Sequence, residues 1–266
     1  MPHIEKAIIL AAGAGSRLLP HTAHCPKCLT SIAGQPILRY QIAALRHCGI
    51  EDIVVVVGYL AHQIRDFVDS SVTLVENRDY ASTNSSYSLW LARAHMRQGF
   101  VHLNSDLLFE PDGLRALLAA PDENAIIVDR RVRPGSDMMK AEMDGRRILR
   151  MGKRLKSGAA EVVGPAKFGS SGAELVARRL AQLTAAADRN RWAYAVFGDL
   201  APELALAGVD NPGCFWAEVD TVADKREADR SVPRSLVSLA AGDAAARPSA
   251  EVSSQSAGAG FRTHAS

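Results

Sequence analysis

The sequence predicts an α/β fold, a doubly wound, mostly parallel (Rossmann-like) sheet with an inserted antiparallel lobe. Two observations predict the sheet: strand-sized apolar runs alternate with stretches of helical period, and this repetition fills the first half of the chain. A third observation predicts the lobe: a hairpin signal stands in the second half, where the alternation stops.

The first half supplies the parallel strands and their helices. Lys6–Ala12 is a continuous apolar run, as expected of a strand buried on both faces, and Asp52–Val57 is a second one, ended by Gly58. Further strands are expected at 72–75 and 100–103, and helices at 36–48, 61–68 and 86–97.

The second half has a different pattern. Asp144-Gly145 separates two short segments at 138–143 and 146–151, which predicts a hairpin, and a helix (172–187) and a late strand (215–219) follow. We expect one domain over 1–234, made of two halves at about 1–110 and 111–234. The remaining 235–266 is rich in Ala, Ser and Gly and is predicted to be disordered.

Composition excludes several classes of protein. With 31 basic and 29 acidic residues the net charge is +2, which argues against a nucleic-acid binder. No apolar run approaches the roughly 20 residues of a membrane span, and no signal peptide is evident, so a cytoplasmic protein is expected. The 4 cysteines are too few for a disulfide framework in a chain of 266 residues.

The first strand runs into a loop of small residues. These residues let the backbone approach a polyphosphate closely, and the candidate nucleotide-binding positions are Leu10, Ala11, Ala12, Gly13, Ala14, Gly15 and Ser16. A dinucleotide-binding loop would need glycine where Leu18 stands and an unbroken helix, which Pro20 prevents. The Gly-Lys-Ser/Thr of a P-loop is missing. Arg17 and Lys27 are the candidate catalytic cations.

This pattern resembles a known signature. Leu-Ala-Ala-Gly-x-Gly-Ser-Arg-Leu, then Pro, then Pro-Lys-x-Leu, looks like the nucleotidyltransferases that activate sugar phosphates, choline phosphate, inositol phosphate and phosphonates. The likeness extends from about residue 5 to residue 230. It implies that 1–234 is a nucleotidyltransferase domain whose first half (about 1–110) binds the NTP and whose second half (about 111–234) binds the acceptor. It also implies that the loop backbone wraps a nucleoside triphosphate and that Arg17 and Lys27 neutralise the phosphates.

Three carboxylates are candidate metal ligands. Asp106 follows a predicted strand, and Glu218 and Asp220 share one face if their segment is extended. Turn or capping roles are the alternative for an average aspartate. Asp106 and Asp220 also match the order and spacing of the family's metal-binding aspartates, whereas position 218 varies among members. Such a set suits Mg²⁺ shared with substrate phosphates.

A polar segment, 79–89, is the candidate for reading the base. Its Thr83-Asn84 and Ser88-Leu89 resemble choline-phosphate and phosphonate cytidylyltransferases, which implies CTP as the nucleotide and Asn84 and Ser88 as binding residues. The alternative is that the segment only caps a helix, for which Ser85 or Ser86 would serve. Both can hold at once, with Asn84 reading the base while a serine caps.

Two lysines are candidates for binding the acceptor. Lys153 matches the family lysine that grips the acceptor's phosphoryl group, and Lys140 is expected to assist it. Aromatic residues at 80, 87, 90, 192 and 216 could form a cage for choline, whereas the arginines in 130–133 favour an anionic acceptor. A small phosphonate or phosphomonoester is therefore expected, and a carboxylated phosphonate such as phosphonoformate is one candidate.

The expected reaction joins an NTP to that acceptor and releases pyrophosphate. Two alternatives stay open: a sugar-1-phosphate nucleotidyltransferase that uses UTP, dTTP or GTP, and a nucleotide-binding regulator without turnover. A homodimer is also left open. A zinc site at His21, His24, Cys25 and Cys28 is disfavoured because no second Cys pair accompanies it.

Overall fold

The computed structural model describes residues 4–132, 135, 138–155 and 160–247. In these ranges the strands are β1 (Lys6–Ala11), β2 (Ser31–Ile32), β3 (Gln35–Pro36), β4 (Asp52–Val57), β5 (Val72–Glu76), β6 (Phe100–Asn104), β7 (Leu107–Phe109), β8 (Ala125–Asp129), β9 (Lys140–Asp144), β10 (Arg147–Gly152), β11 (Ala160–Phe168), β12 (Ala207–Asp210) and β13 (Trp216–Glu218). The helices are α1 (Ile37–His47), α2 (Ala61–Phe67), α3 (Ser85–Leu91), α4 (Pro111–Ala119), α5 (Ser170–Ala185), α6 (Ala193–Leu200), α7 (Val222–Ser231) and α8 (Arg234–Ala246).

A nine-stranded sheet in the order β5-β4-β1-β6-β11-β8-β12-β10-β9 organises this part of the chain. Strands β5, β4, β1 and β6 run parallel, as the apolar runs predict. Alternate residues of β1 enter two separate cores: Ile8 packs on one face of the sheet and Ile9 on the other. The doubly wound prediction is therefore confirmed, since both faces of this strand are covered.

The antiparallel lobe is also present. Strand β11 pairs antiparallel with β6 and β8, and β9 and β10 form the predicted hairpin. Gly145 has a φ of +57° at its turn, a conformation that glycine adopts without the steric cost of a Cβ. The predicted helix at 86–97 is shorter, because α3 ends at Leu91 and a 3₁₀ turn, Arg93–His95, follows.

The prediction of disorder from residue 235 is wrong for the first part of that segment. Helix α8 packs against α1, and Leu236 and Ala240 are buried in the contact. Asp243 forms salt bridges with Arg46 and Arg39, whose Nη1 atoms lie 3.0 and 3.4 Å from its carboxylate oxygens. The alanines of this segment, too small to build a core alone, let the two helices approach closely. The remainder, 248–266, lies outside the described residues.

The topology positions a ligand site at one edge of the sheet. Strands β1, β4, β5 and β6 all end there, and each is followed by a loop at its carboxyl end, where open α/β sheets bind ligands. Across the described ranges, we find no helix with the length and apolar character needed to cross a bilayer.

Candidate active site

A pocket of about 380 Å³ lies over the carboxyl ends of the parallel strands. Its middle is formed by the loop after β1, one side by the segment after β5, and the opposite side by residues of the antiparallel lobe and α6. The predicted residues that line it are Leu10, Ala12, Gly13, Gly15, Ser16, Arg17, Lys27, Asn84, Ser88, Asp106, Lys153 and Asp220. Ala11, Ala14, Lys140 and Glu218, all in described ranges, do not contribute to its lining.

Gly13 and Gly15 of this loop differ in their surroundings. A Cβ on Gly13 would meet no atom within 4 Å, so this position opens toward the pocket. Gly15 has a φ of +63°, and a Cβ there would approach Lys27 Cβ to 2.9 Å. The loop thus lies directly on the Lys27 side chain. Thr22 Oγ1 donates to the Gly15 carbonyl at 2.9 Å and holds this contact in place.

Lys27 forms ion pairs with two candidate metal ligands, Asp106 and Asp220. Its Nζ lies 2.8 Å from Asp106 Oδ2 and also donates to Asp220 Oδ1, while Arg17 Nη2 lies 2.8 Å from Asp220 Oδ2. Burial lowers the pKa of Lys27, but the charges of the two aspartates outweigh this and raise it above its usual value. Burial likewise raises the pKa of Asp220, but Lys27 and Arg17 outweigh it, so that the pKa is lowered. Both side chains are therefore held charged.

Local hydrogen bonds place the two aspartates together. Strand β7 pairs with β13, and the Val219 amide donates to the Asp106 carbonyl at 2.9 Å. Asp224 Oδ2 then accepts from the amides of Asp220 and Thr221, at 3.1 and 2.7 Å. Thr221 caps α7 in return, by accepting from the Asp224 amide. This capping box fixes the backbone that carries Asp220.

The donor set fits a magnesium ion shared with substrate. Asp106 Oδ1 is buried and has no hydrogen-bond partner among the described residues, which leaves a carboxylate oxygen available to a cation. Burial, with Asp106 and Asp220 nearby, raises the pKa of Glu218 to about 8, so negative charge is crowded here. In the described part of the chain no three acidic, His or Cys side chains form a complete metal cage. Mg²⁺ commonly takes one or two carboxylates and completes its shell with phosphates and water.

The side of the pocket nearest β5 is a network of short polar side chains. Asn77 Nδ2 donates to Thr83 Oγ1 at 3.1 Å and to Ser88 Oγ at 3.0 Å. The N-cap of α3 is Asn84, whose Oδ1 accepts from the Ser85 amide at 2.8 Å. The expectation that Ser85 or Ser86 caps this helix is therefore wrong, because Asn84 is the cap. Asn84 also lines the pocket, so its role in reading the base stays a prediction.

On the opposite side, Lys153 extends over an aromatic ring. Its Nζ lies 4.8 Å from the centre of Trp192, a cation–π contact at the pocket wall. Lys140 does not stand beside it facing the pocket; its Nζ donates to the Lys153 carbonyl at 3.0 Å, from a buried position. The structure thus gives Lys140 the part of supporting the Lys153 backbone.

Other predicted features lie elsewhere. Arg130 pairs with Asp210 and Arg131 with Asp129, so neither arginine faces the pocket, and Arg133 lies outside the described residues. Trp216 Nε1 donates to Asp129 Oδ2 at 3.0 Å rather than forming part of a cage. The four cysteines are free thiols.

Sequence reasoning missed some pocket residues. Asn77, Asn104, Ser105 and Tyr194 line the pocket without having been predicted to bind anything, whereas Tyr80 and Trp192, two of the candidate cage residues, also line it. A signal for Asn77 existed, since it directly follows an apolar strand, as Asp106 nearly does after β6. Tyr194 could not be found this way, because it lies within α6, far along the chain.

The chain is similar in sequence to known enzymes. The chain is 33% identical over 245 residues to the CMP-5'-(3-aminopropyl)phosphonate synthase of Streptomyces rubellomurinus, covering 84% of this chain and 38% of that protein. It is 42% identical over 107 residues to the choline-phosphate cytidylyltransferase of Streptococcus pneumoniae, covering 40% of this chain and 46% of the relative. Each match thus spans less than half of the relative's length.

Solved structures show the same fold. The inositol-1-phosphate CTP transferase of T. maritima superposes with a TM-score of 0.73 at 21% identity, over 91% of this chain and 97% of that one. The CTP:phosphocholine cytidylyltransferase of Streptococcus pneumoniae gives 0.69 at 24% identity, over 86% and 99%. A model of the MobA-like NTP transferase domain matches residues 7–190. The chain therefore belongs to the family of MobA-like NTP transferase domains.

Proposed function

We propose that this chain is a Mg²⁺-dependent cytidylyltransferase that transfers CMP from CTP to a small phosphonate or phosphomonoester and releases pyrophosphate. The observation that carries the proposal is the bridge from Lys27 to Asp106 and Asp220, set between the glycine loop and Lys153. The relatives' names support the nucleotide and the class of acceptor, since they include a phosphonate and a choline-phosphate enzyme.

The order of the strands suggests how the substrates lie. The loop after β1 is central and offers backbone amides and two cations, so it suits the triphosphate. The Asn77 network lies toward β5, on one side of β1, and suits the base. Lys153 belongs to the lobe on the other side and suits the phosphoryl group of the acceptor. The acceptor and the triphosphate then meet near Asp106 and Asp220.

The chemistry needs positioning more than proton transfer. An acceptor oxygen that is anionic near neutral pH attacks the α-phosphorus of CTP, a new P–O bond forms, and the bond to pyrophosphate breaks. Lys153 orients the acceptor, while Arg17 and Lys27 stabilise the charge that grows on the leaving group. Asp106 and Asp220 would hold Mg²⁺, which when bound supplies further charge stabilisation on the phosphates.

The contacts narrow the acceptor. Of the arginines that favoured an anionic acceptor, Arg130 and Arg131 are paired with Asp210 and Asp129, so these two do not support phosphonoformate. Lys153, held over Trp192, remains as a cation that lines the acceptor side. We therefore propose acceptors that present one phosphonate or phosphate group and a small uncharged or cationic remainder.

A substrate screen tests the proposal. The purified chain is incubated with Mg²⁺, one of CTP, UTP, dTTP or GTP, and one of a panel of phosphonates, choline phosphate and sugar 1-phosphates, and pyrophosphate is measured. We expect release with CTP and a phosphonate or phosphocholine-like acceptor. Turnover only with a sugar 1-phosphate and UTP or dTTP would favour the sugar-nucleotide alternative. Nucleotide binding without pyrophosphate release in any mixture would favour a regulator.

A further inference from the structure

Asn77 occupies the centre of the wall assigned to the base. It directly follows β5, its side chain is buried and it lines the pocket. Its Oδ1 accepts from the Asp79 backbone amide at 3.0 Å. Because a backbone N–H can only donate, this bond fixes which end of the Asn77 amide points to Asp79, and Nδ2 must point the other way.

The Nδ2 group of Asn77 determines how two neighbouring hydroxyls use their hydrogen-bonding capacity. It donates to both Thr83 Oγ1 and Ser88 Oγ. Thr83 gives its own proton to the Asp79 carbonyl at 2.9 Å, so its hydroxyl is satisfied as a donor. Ser88 accepts from Asn77 and gives its proton to no acceptor within the described ranges. It is buried on the pocket wall, so its hydroxyl is left as a hydrogen-bond donor to whatever lies in the pocket.

We propose that Asn77 is a positioning residue for nucleotide specificity, which holds Ser88 as a donor and thereby favours cytosine over uracil. This inference rests on the proposed use of CTP. Cytosine carries an amino group at position 4, so it can receive this donor only at N3 or O2. O2 is common to both bases, whereas N3 is a lone pair in cytosine and an N–H in uracil. A donor that faces N3 therefore discriminates between them.

A single substitution replaces the Nδ2 donor of Asn77 by an acceptor with almost no change of shape. In Asn77→Asp one carboxylate oxygen still accepts from the Asp79 amide, but the other replaces Nδ2 and must itself accept. Ser88 then gives its proton to this new carboxylate oxygen and offers a lone pair to the pocket, which suits the N–H of uracil. The added negative charge repels the triphosphates of CTP and UTP alike, so it cancels in the ratio of the two nucleotides.

The test measures kcat/KM for CTP and for UTP with one acceptor, in the wild type, Asn77→Asp, Ser88→Ala and the double variant. Binding of each nucleotide without acceptor is measured in parallel by calorimetry. We expect Asn77→Asp to lower the CTP-to-UTP ratio about tenfold or more, as expected when a site's hydrogen-bonding group no longer matches its substrate. Ser88→Ala should lower the ratio too. In the Ser88→Ala background Asn77→Asp should add no further change, because its effect passes through that hydroxyl.

An unchanged CTP-to-UTP ratio in Ser88→Ala would overturn the inference, even if Asn77→Asp failed to fold; an equal fall in kcat/KM for both nucleotides is such a result and would place the donor at O2. The inference would also be overturned if Asn77→Asp shifted the ratio equally with and without Ser88. Failure of the proposed function is distinguishable: a protein without turnover still binds nucleotides, and calorimetry still reports whether Asn77 and Ser88 select between them.

Discussion

The two sides of the pocket are built in different ways. On the nucleotide side, Asn77 and Ser88 are buried side chains at a strand end and in a helix, tied into one hydrogen-bond network. On the acceptor side, Lys153 rests on Trp192, a residue that is 47% exposed. Under the proposed division of the pocket, recognition of the nucleotide belongs to the scaffold, whereas recognition of the acceptor belongs to side chains that can change without disturbing the core.

The largest effect should come from the centre, which both sides share. Asp106→Asn and Asp220→Asn remove charge from the candidate metal ligands, at a cost of several kcal/mol in the transition state, so kcat should fall about 1,000-fold or more. Magnesium titrations and melting curves accompany the kinetics. Asp210→Asn, an exposed carboxylate paired with Arg130, is the matched control and should remain active. Near-normal turnover in either variant at saturating Mg²⁺ would remove that aspartate from the metal site.

A pair of lysine variants separates the two sides. Lys27→Ala should impair CTP use with every acceptor, while Lys153→Ala should chiefly raise the KM of the acceptor. Each change should be about ten- to a hundredfold in kcat/KM, the value of a charge-assisted contact to an anion. Kinetics with both substrates varied provides the measurement. If Lys153→Ala raises both KM values equally, the division of the pocket proposed above is wrong.

Asp224 tests whether the shared centre depends on its backbone support. Asp224→Ala breaks the bonds to the Asp220 and Thr221 amides, so we expect a weaker apparent Mg²⁺ affinity, by about tenfold, because the carboxylate of Asp220 is no longer held in place. Asp224→Glu keeps a carboxylate that can complete a capping box and should recover most of the Mg²⁺ affinity. Asp229→Asn, on the same helix as Asp224, is the control, because it alters bonds to the Ala33 amide and to Lys225 instead. Equal Mg²⁺ affinity in Asp224→Ala and the wild type would contradict a positioning role.

The sequence predicted the centre of the pocket better than its two sides. Apolar runs and the glycine loop placed β1, β4 and β6, and the residues that follow β1 and β6 were predicted correctly to meet at one edge. The bond from Lys140 to the Lys153 carbonyl and the capping of α3 by Asn84 in place of a serine were not predicted. Ser85 Oγ accepts instead from the Ala193 amide of α6, a tertiary contact that no local pattern encodes. The same holds for α8, whose docking depends on Arg39 and Arg46 of α1 as partners for Asp243.

The α8 contact should affect stability and leave the pocket alone. Asp243→Ala leaves Arg39 and Arg46 without this partner in a largely buried contact. Losing one member of such a pair costs about 3 kcal/mol, which lowers Tm by about 6 to 12 °C in a domain of this size. Asp188→Ala, an aspartate on the surface after α5, is the control. Calorimetry checks the melting, and an unchanged Tm would show that α8 contributes little.

The smallest effect is a dependence on pH at the same contact. Although burial raises it, bonds from Ser71 and Arg46 lower the pKa of Asp69 to about 2. Because this pKa is lower than the pKa of about 4 in the unfolded chain, the ionised Asp69 stabilises the fold at pH values above about 4. This stability is lost as the pH falls toward about 2. Asp69→Asn should therefore melt below the wild type at about pH 7 and together with it at about pH 2. A gap in Tm that does not narrow on acidification would contradict the assignment.

The most direct test of the central claim is to follow both products of one reaction. With CTP, Mg²⁺ and a small phosphonate, ³¹P NMR should show a CMP–phosphonate product appearing in step with pyrophosphate, one for one. Leaving out the phosphonate or the metal should stop both signals. Pyrophosphate that appears without the phosphonate, or a coupled product that forms equally well from UTP, would contradict a cytidylyltransferase built around Lys27, Asp106 and Asp220.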